Sequence, residues 1–575
     1  MLSPFPPMTP ADLSARGWDQ LDVILVTGDA YVDHPSFGAA IIVRVLEAEG
    51  YRVGVIAQPD WRSVDDFRRL GRPRLFFGVT AGAMDSMVNH YTAHLKLRRD
   101  DAYSPGGKHG LRPNRATIVY ANRCREAFKD VPIVLGGVEA SLRRLAHYDY
   151  WSGSVRRSIL LDAKADILVY GMGERPIVEV ARRLAAGETA DRLKDIRSTV
   201  VAMKPAELPA ERIEIPSYEE VAADKLEFAQ ACKAHLLVAN RVEATPLVQR
   251  HGDCCVVENA PSPMLTTEEL DRIYALPFTR RAHPFYDSLG EIPALRPVKF
   301  SITTHRGCFG GCSFCALGLH QGRIIQSRSI ASILAEIESF KKLPDFKGII
   351  FDLGGPTANT YGMACRHGQA KACRRPSCLF PSLCKNLDAS HAPSIELLRR
   401  VRATPGVRKA FVASGVRHDL ALLDKTFLRE LITHHVGGHL KIAPEHICPH
   451  VLKLMQKPGV ESFEEFLREF AALSKEAGLE QYVVPYLVSS HPGCTLKDMA
   501  ALRDYLKRRR WRVQQVQDFL PTPMTLSTAM YHAGLNPLTG EPVYVARTAA
   551  EKLKQRALLA PLGKKITPRT PSPAD

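Results

Sequence analysis

The chain has 575 residues, 45% hydrophobic and 24% charged, which excludes general disorder and leaves room for roughly two to four domains. Its best apolar runs, such as Val23–Thr27 and Gly348–Phe351, are strand-length, far short of the ~20 residues a helix needs to cross a bilayer. The thirteen cysteines and the absence of a leader point to a reducing, cytoplasmic setting. Residues 1–300 carry 39 basic and 39 acidic side chains; residues 301–575 hold the remaining 38 and 22, so the net charge of +16 lies wholly in the second part. An anionic partner, RNA included, or a solvated basic surface accounts for that excess equally well.

Asp22–Thr27 reads as a buried strand, followed by a turn and a helix over Ala39–Ala48. Val53–Ala57, Leu75–Thr80, Thr117–Tyr120, Pro132–Leu135 and Asp166–Tyr170 read as further strands, and Pro176–Leu184 as a helix. Such alternation predicts a mostly parallel sheet covered on both faces. Residues 186–295 are less regular and read as an extension and connector; the adjacent Cys254 and Cys255 there suit a structural role.

Alternation resumes with Lys299–Thr303. Ser329 is placed to cap a helix carrying Ile330, Ile333, Leu334, Ile337 and Phe340. Gly348–Leu353, Lys409–Ala413, His439–Ile442, Tyr482–Val488 and Val513–Phe519 complete six strands, and Ser462 with Glu465 reads as a capping box. Six βα units favour a partial or closed barrel over an open sheet. The tail from Pro561 reads as disordered. The expected boundaries are 1–185, 186–295, 296–535 with a cysteine-rich insert at 361–388, and 536–575.

Cys308, Cys312 and Cys315 stand at C-x3-C-x2-C in THRGCFGGCSFCALG, directly after the first barrel strand. Three thiolates in one tight loop can hold three irons of a 4Fe–4S cluster and leave the fourth iron open. Gly307, Gly310 and Gly311 let the loop wrap closely. A zinc knuckle with His305 or His320 as fourth ligand is the bland alternative.

The motif resembles the signature of radical S-adenosylmethionine (SAM) enzymes, including an aromatic residue, Phe314, before the third cysteine. Together with FDLGGPTANTYG, SGVRHDL, KIAPEH and the cysteine-rich insert, the chain resembles the YgiQ family of radical SAM proteins along nearly its whole length. The resemblance implies an α/β chain: an N-terminal Rossmann-like doubly wound domain followed by a radical SAM partial (β/α)6 TIM-type barrel. It implies a cluster on Cys308, Cys312 and Cys315, and SAM on the open iron. SAM is then cleaved reductively to a 5′-deoxyadenosyl radical, with the electron from a donor such as flavodoxin or ferredoxin. Gly354 and Gly355 are the residues whose backbone would meet SAM; Pro356 replaces the acid usual after that pair. The substrate stays open.

Cys365, Cys373, Cys378 and Cys384 form a second group, suited to another iron–sulfur cluster, to zinc or to no metal. PIVLGGVEAS and ADILVYGMGE, with Gly136, Gly137, Gly171 and Gly173, resemble cobalamin-binding domains. However, Asp33–Gly38 lacks the cobalt-ligating pattern, and a shared fold without cobalamin is the favoured reading. Lys507–Arg512 reads as a solvated helix end rather than an RNA grip. The alternative functions are a non-catalytic iron–sulfur or zinc RNA-binding protein, and a radical SAM enzyme that modifies RNA.

Overall fold

The computed structural model describes residues 3–238, 244–368, 373, 375–511 and 516–559. Five apolar runs form the parallel heart of the first domain: β1 (Val23–Thr27), β2 (Val53–Ala57), β3 (Phe76–Thr80), β4 (Ile133–Leu135) and β5 (Ile167–Val169). They lie in the order β2-β1-β3-β4-β5, all parallel. Helices cover both faces, which is why these strands are apolar at almost every position instead of alternating. Gly38–Ala48 and Glu174–Ala185 pack on one face and Ala116–Ala127 on the other. This is a Rossmann-like domain, with a topological switch point between β1 and β3.

Two expectations give way here. Thr117–Tyr120 lies inside the helix Ala116–Ala127. Thr117, Tyr120, Ala121 and Cys124 are buried at helical spacing, so packing overrides the strand preference of the Thr-Ile-Val-Tyr run. The stretch read as a connector supplies four more strands: β6 (Thr199–Met203), β7 (Ile213–Ile215), β8 (Leu247–His251) and β9 (Cys254–Glu258). They extend the same sheet beyond β5 in the order β6-β9-β8-β7, and β6 turns antiparallel to β5. Cys255 is buried on β9, in keeping with a structural role.

Among the described residues of the second domain, six strands trace the barrel: β10 (Ser301–Thr303), β11 (Asp352–Gly354), β12 (Lys409–Ala410), β13 (His439–Glu445), β14 (Tyr482–Ser489) and β15 (Val516–Asp518). β10 pairs parallel with β11, and Ile349–Ile350, just before β11, pairs parallel with β12. A Val416–Ile442 bridge joins the third unit to β13, which pairs with β14, and β14 with β15. Six parallel strands in sequence order make a partial (β/α) barrel. Ser329 caps Ile330–Phe340 as its sequence predicts, accepting from Ser332 N–H at 3.0 Å. The capping box at Ser462 does not form: the helix Val460–Glu476 starts earlier, and the Ser462 hydroxyl donates to Gly459 C=O (2.9 Å).

Two short helices, Leu526–Ala533 and Ala549–Ala557, return to the first domain. Tyr148 stacks on His532 at 4.6 Å, and Lys552 Nζ donates to the Tyr150 and Tyr531 hydroxyls, each at 3.0 Å. At the end of Leu496–Arg508, Arg509 ion-pairs with Glu464 and Trp511 packs edge-on against Phe463. Arg512, Val513–Gln515 and the tail from Pro561 lie outside the described residues. Among the described residues, no helix is long and apolar enough to cross a membrane.

Candidate functional site

The cysteine loop begins where β10 ends. His305–Arg306 pairs antiparallel with Gln326–Ser327, turning the chain back over the barrel mouth. Gly307 makes the turn with φ +86°; a Cβ there would lie 2.0 Å from Ile324 O, so only glycine fits. Cys308 N–H donates to Gly322 C=O (3.1 Å), Cys315 N–H to Cys312 C=O (3.1 Å) and Ser313 N–H to Met455 C=O (3.0 Å). The loop is thus fixed by its own backbone and by the helix Pro449–Met455.

Burial, with Cys312 nearby, raises the Cys308 thiol above its ordinary pKa and pushes Cys315 up to about 12. A metal that binds as thiolates must displace those protons. Among the described residues, no three His, Cys, Asp or Glu side chains converge on a single ion, these three included. Three thiolates in one short loop are a donor set that an iron–sulfur cluster takes one to each iron. Both proposed fourth ligands have partners away from the cysteines. His305 Nδ1 meets Thr304 Oγ1 at 2.8 Å, and its Nε2 meets Thr357 O and Thr360 Oγ1, both at 3.0 Å. His320 turns to the first domain, its Nδ1 3.1 Å from Ser141 Oγ.

Arg417, from the SGVRHDL run, reaches the loop. Its Nη1 lies 3.7 Å from Cys312 Sγ, and Asp419 grips its other edge at 3.0 and 2.7 Å. Burial works against the Asp419 charge, but Arg417 pulls that carboxyl down to about 2. A fixed cation therefore faces the thiols. Asp352 is structural: it accepts from Ala413 N–H (2.9 Å), Ser414 N–H (3.0 Å) and the Ser414 hydroxyl, locking β11 to the third unit.

A cavity of about 900 Å³ separates the two domains. One wall is the C-terminal edge of the first sheet, with Thr27, Gly136, Gly137, Gly171 and Gly173. The other is the barrel mouth, with His305, Gly354, Gly355, Ser414 and Lys441. The three cysteines do not line it; Leu317 and His320, just after them, do. The run from Gly354 to Thr357 connects cavity and loop: its start lines the cavity, and Thr357 Oγ1 lies 3.7 Å from Cys308 Sγ. Gly355 is packed to its limit, since a Cβ would meet the His305 ring at 2.7 Å. The domains are also pinned together: buried Arg306 ion-pairs with Glu174 and donates from Nε to Tyr274 OH (3.1 Å).

Sequence reasoning passed over Glu174, and Asp29 on the cavity wall, whose carboxyl burial raises to about 6 against the pull of Arg112. A charged residue just after a sheet strand was the available signal. It also passed over Ser527, which bears on the loop from more than 200 residues away along the chain. No local pattern could have marked it. His34, in the Asp33–Gly38 run, is fully buried: Nδ1 accepts from Ser36 N–H (3.0 Å), and Nε2 lies 2.7 Å from Arg280 Nη1.

A Rossmann-like domain facing a partial barrel, with a cysteine triplet after the first barrel strand, defines a radical SAM protein. Family models agree: "Radical SAM N-terminal" matches residues 5–301 and "Radical SAM superfamily" residues 302–506, while a domain of unknown function, DUF3362, matches 514–561. The chain is 56% identical to a UPF0313 protein of Geobacter sulfurreducens, over 96% of this chain and 92% of that one. It is 54% identical to a UPF0313 protein of Methanosarcina acetivorans, over 97% and 78%. The chain belongs to the UPF0313, YgiQ-like family of radical SAM proteins. It is a SAM-dependent radical enzyme with an iron–sulfur cofactor. Its fold is similar to that of TsrM from Kitasatospora setae, a radical SAM methyltransferase solved with cobalamin and a [4Fe-4S] cluster (TM-score 0.50, 18% identity, 93% of this chain and 85% of that one).

Proposed function

We propose that Cys308, Cys312 and Cys315 ligate the 4Fe–4S cluster, and that SAM occupies the barrel side of the cavity along Gly354 and Gly355. The run from Gly354 to Thr357 carries this reading, because it joins the cavity wall to Cys308. When bound, the cluster supplies the electron that cleaves SAM to methionine and a 5′-deoxyadenosyl radical. The protein's own part is positional. Arg417 holds a positive charge against the thiols, the Asp352–Ser414 contacts fix the edge beside Gly354, and the first domain forms the facing wall of the cavity.

The rest of the cavity, over the glycine-lined sheet edge, is the substrate's place. We assign it to substrate rather than to cobalamin, the cofactor named for TsrM, because His34 is fully buried against Ser36 and Arg280. A small one-electron donor such as flavodoxin or ferredoxin would reduce the cluster, in the cytoplasm. The RNA-binding readings draw less support: Trp511 is packed on Phe463 instead of standing free to stack on a base.

The test is anaerobic. Protein reconstituted with iron and sulfide is given reductant and SAM, and 5′-deoxyadenosine is measured by mass spectrometry. Product from the wild type and none from Cys308→Ala/Cys312→Ala/Cys315→Ala is the expected result. A triple variant that still bound a cluster at this loop and cleaved SAM would remove the assignment.

A further inference from the structure

The cysteine-rich insert is folded directly onto the first cysteine loop. Cys378 N–H donates to Phe309 C=O (3.1 Å), and the Ser377 hydroxyl donates to Gly310 C=O (2.7 Å). Gly311 permits this approach; a Cβ there would lie 2.6 Å from Pro376 O. Residues between Cys308 and Cys312 therefore touch residues beside Cys378 by backbone contact.

The insert also gathers its own cysteines. Cys384 N–H donates to Cys378 C=O (2.8 Å), and Leu387 N–H to Cys384 C=O (3.0 Å). Leu387 in turn pairs with Cys365 across a two-strand ladder. The Cys378 and Cys384 side chains share an apolar patch with Phe309, Met363, Leu387 and Leu420. The Cys378 thiol is pushed up to about 11, chiefly by burial, against Arg323; the nearby Cys384, Cys373 and Cys365 add to the rise. All four are free thiols, and no acid lies between Cys365 and Cys384.

We propose that Cys365, Cys373, Cys378 and Cys384 hold a second iron–sulfur cluster, seated against the loop of the first. One feature favours a cluster over zinc. Structural zinc sites usually pair cysteines two to four residues apart, whereas the spacings here are C-x7-C-x4-C-x5-C. Four thiolates on four separate irons suit that spacing. Arg366, Arg375 and Lys385 add cationic charge around what would be an anionic centre.

The Cys308→Ala/Cys312→Ala/Cys315→Ala protein separates this site from the first. After anaerobic reconstitution it is expected to keep about four irons and four sulfides per chain. One zinc without sulfide, or less than about one iron per chain, would overturn the proposal. Cys378→Ser/Cys384→Ser should conversely hold about half the wild-type iron; if that variant fails to fold, the count on the triple variant still decides. Electron paramagnetic resonance tests the seating. Fully reduced wild type should show a signal broadened by spin coupling that neither variant shows, and a wild-type spectrum equal to the sum of the two variants would refute the contact.

Discussion

Ser527 meets Ser313 twice: its N–H donates to Ser313 C=O at 2.9 Å, and the two hydroxyls lie 2.7 Å apart. Ser313 sits between Cys312 and Phe314. Ser527 Oγ is also 2.7 Å from His491 Nε2, while His491 Nδ1 donates to Pro492 C=O (2.7 Å). All three side chains are buried, so the chain Ser313–Ser527–His491 is a dry relay that anchors the cysteine loop to the DUF3362 segment.

Ser527→Ala should therefore cost about 1–3 kcal/mol, because it leaves a buried hydroxyl and an imidazole without a partner. It should also speed the loss of iron to a chelator. Chemical denaturation and the chelation rate measure the two effects, and Ser313→Ala/Ser527→Ala should show less than the sum of the single changes.

Arg417→Met removes the cation 3.7 Å from Cys312 Sγ. Reduction adds negative charge to a cluster, so loss of this cation should make the midpoint potential more negative while iron content holds. Arg417→Lys should restore most of the shift. A redox titration followed by electron paramagnetic resonance reads both.

Gly355→Ala forces a Cβ into the His305 ring at 2.7 Å, and that ring is held at both nitrogens. SAM affinity should fall about tenfold or more, a loss of about 1.4 kcal/mol, with iron content unchanged. Gly415→Ala, where nothing lies within 4 Å, is the matched control and should leave affinity as it is. Calorimetric titration with SAM separates them.

The Arg306–Glu174 pair crosses between the domains and is buried on both sides. Breaking it with Arg306→Met should cost about 3–5 kcal/mol, and Arg306→Met/Glu174→Leu should recover much of that loss. Equilibrium unfolding of the two variants provides the comparison.

Acid should loosen the site. Burial lowers His491 from 6.5 to about 3 and His446 and His305 to about 4. Each is neutral when folded and gains a proton on unfolding below pH 6.5, so their contribution is complete above that value and is lost as pH falls toward the folded pKa. His491 alone should remove about 1 kcal/mol between about pH 6.5 and 5.5. A melting temperature that falls over this window, and falls less in His491→Asn, is the expected result.

Much of this architecture was legible because buried parallel strands write themselves as unbroken apolar runs, as Val23–Thr27 and Val53–Ala57 do. The cysteine triplet was legible because its spacing is local. Thr117–Tyr120 misled because β-branched residues carry a strand preference that burial along one helix face overrode. The strands of residues 199–258 were hidden among prolines and charges, since a mixed sheet edge needs fewer apolar positions; Glu214 and Arg250 are exposed there. Nothing local in Ser377 or Cys378 announces contact with Phe309 and Gly310, because that contact depends on how a loop folds back over a barrel.

The anchor on Ser313 has a consequence in time. Ser527 and Lys552, which tie the last helices to the cysteine loop and to the first domain, are made long after the residues they hold. At about 5–20 residues per second, a ribosome takes about 10–40 s to travel from the triplet to that anchor. Through that interval the nascent triplet stands without its final support, and the machinery that delivers iron and sulfide meets a settled loop only after Ser527 has been made.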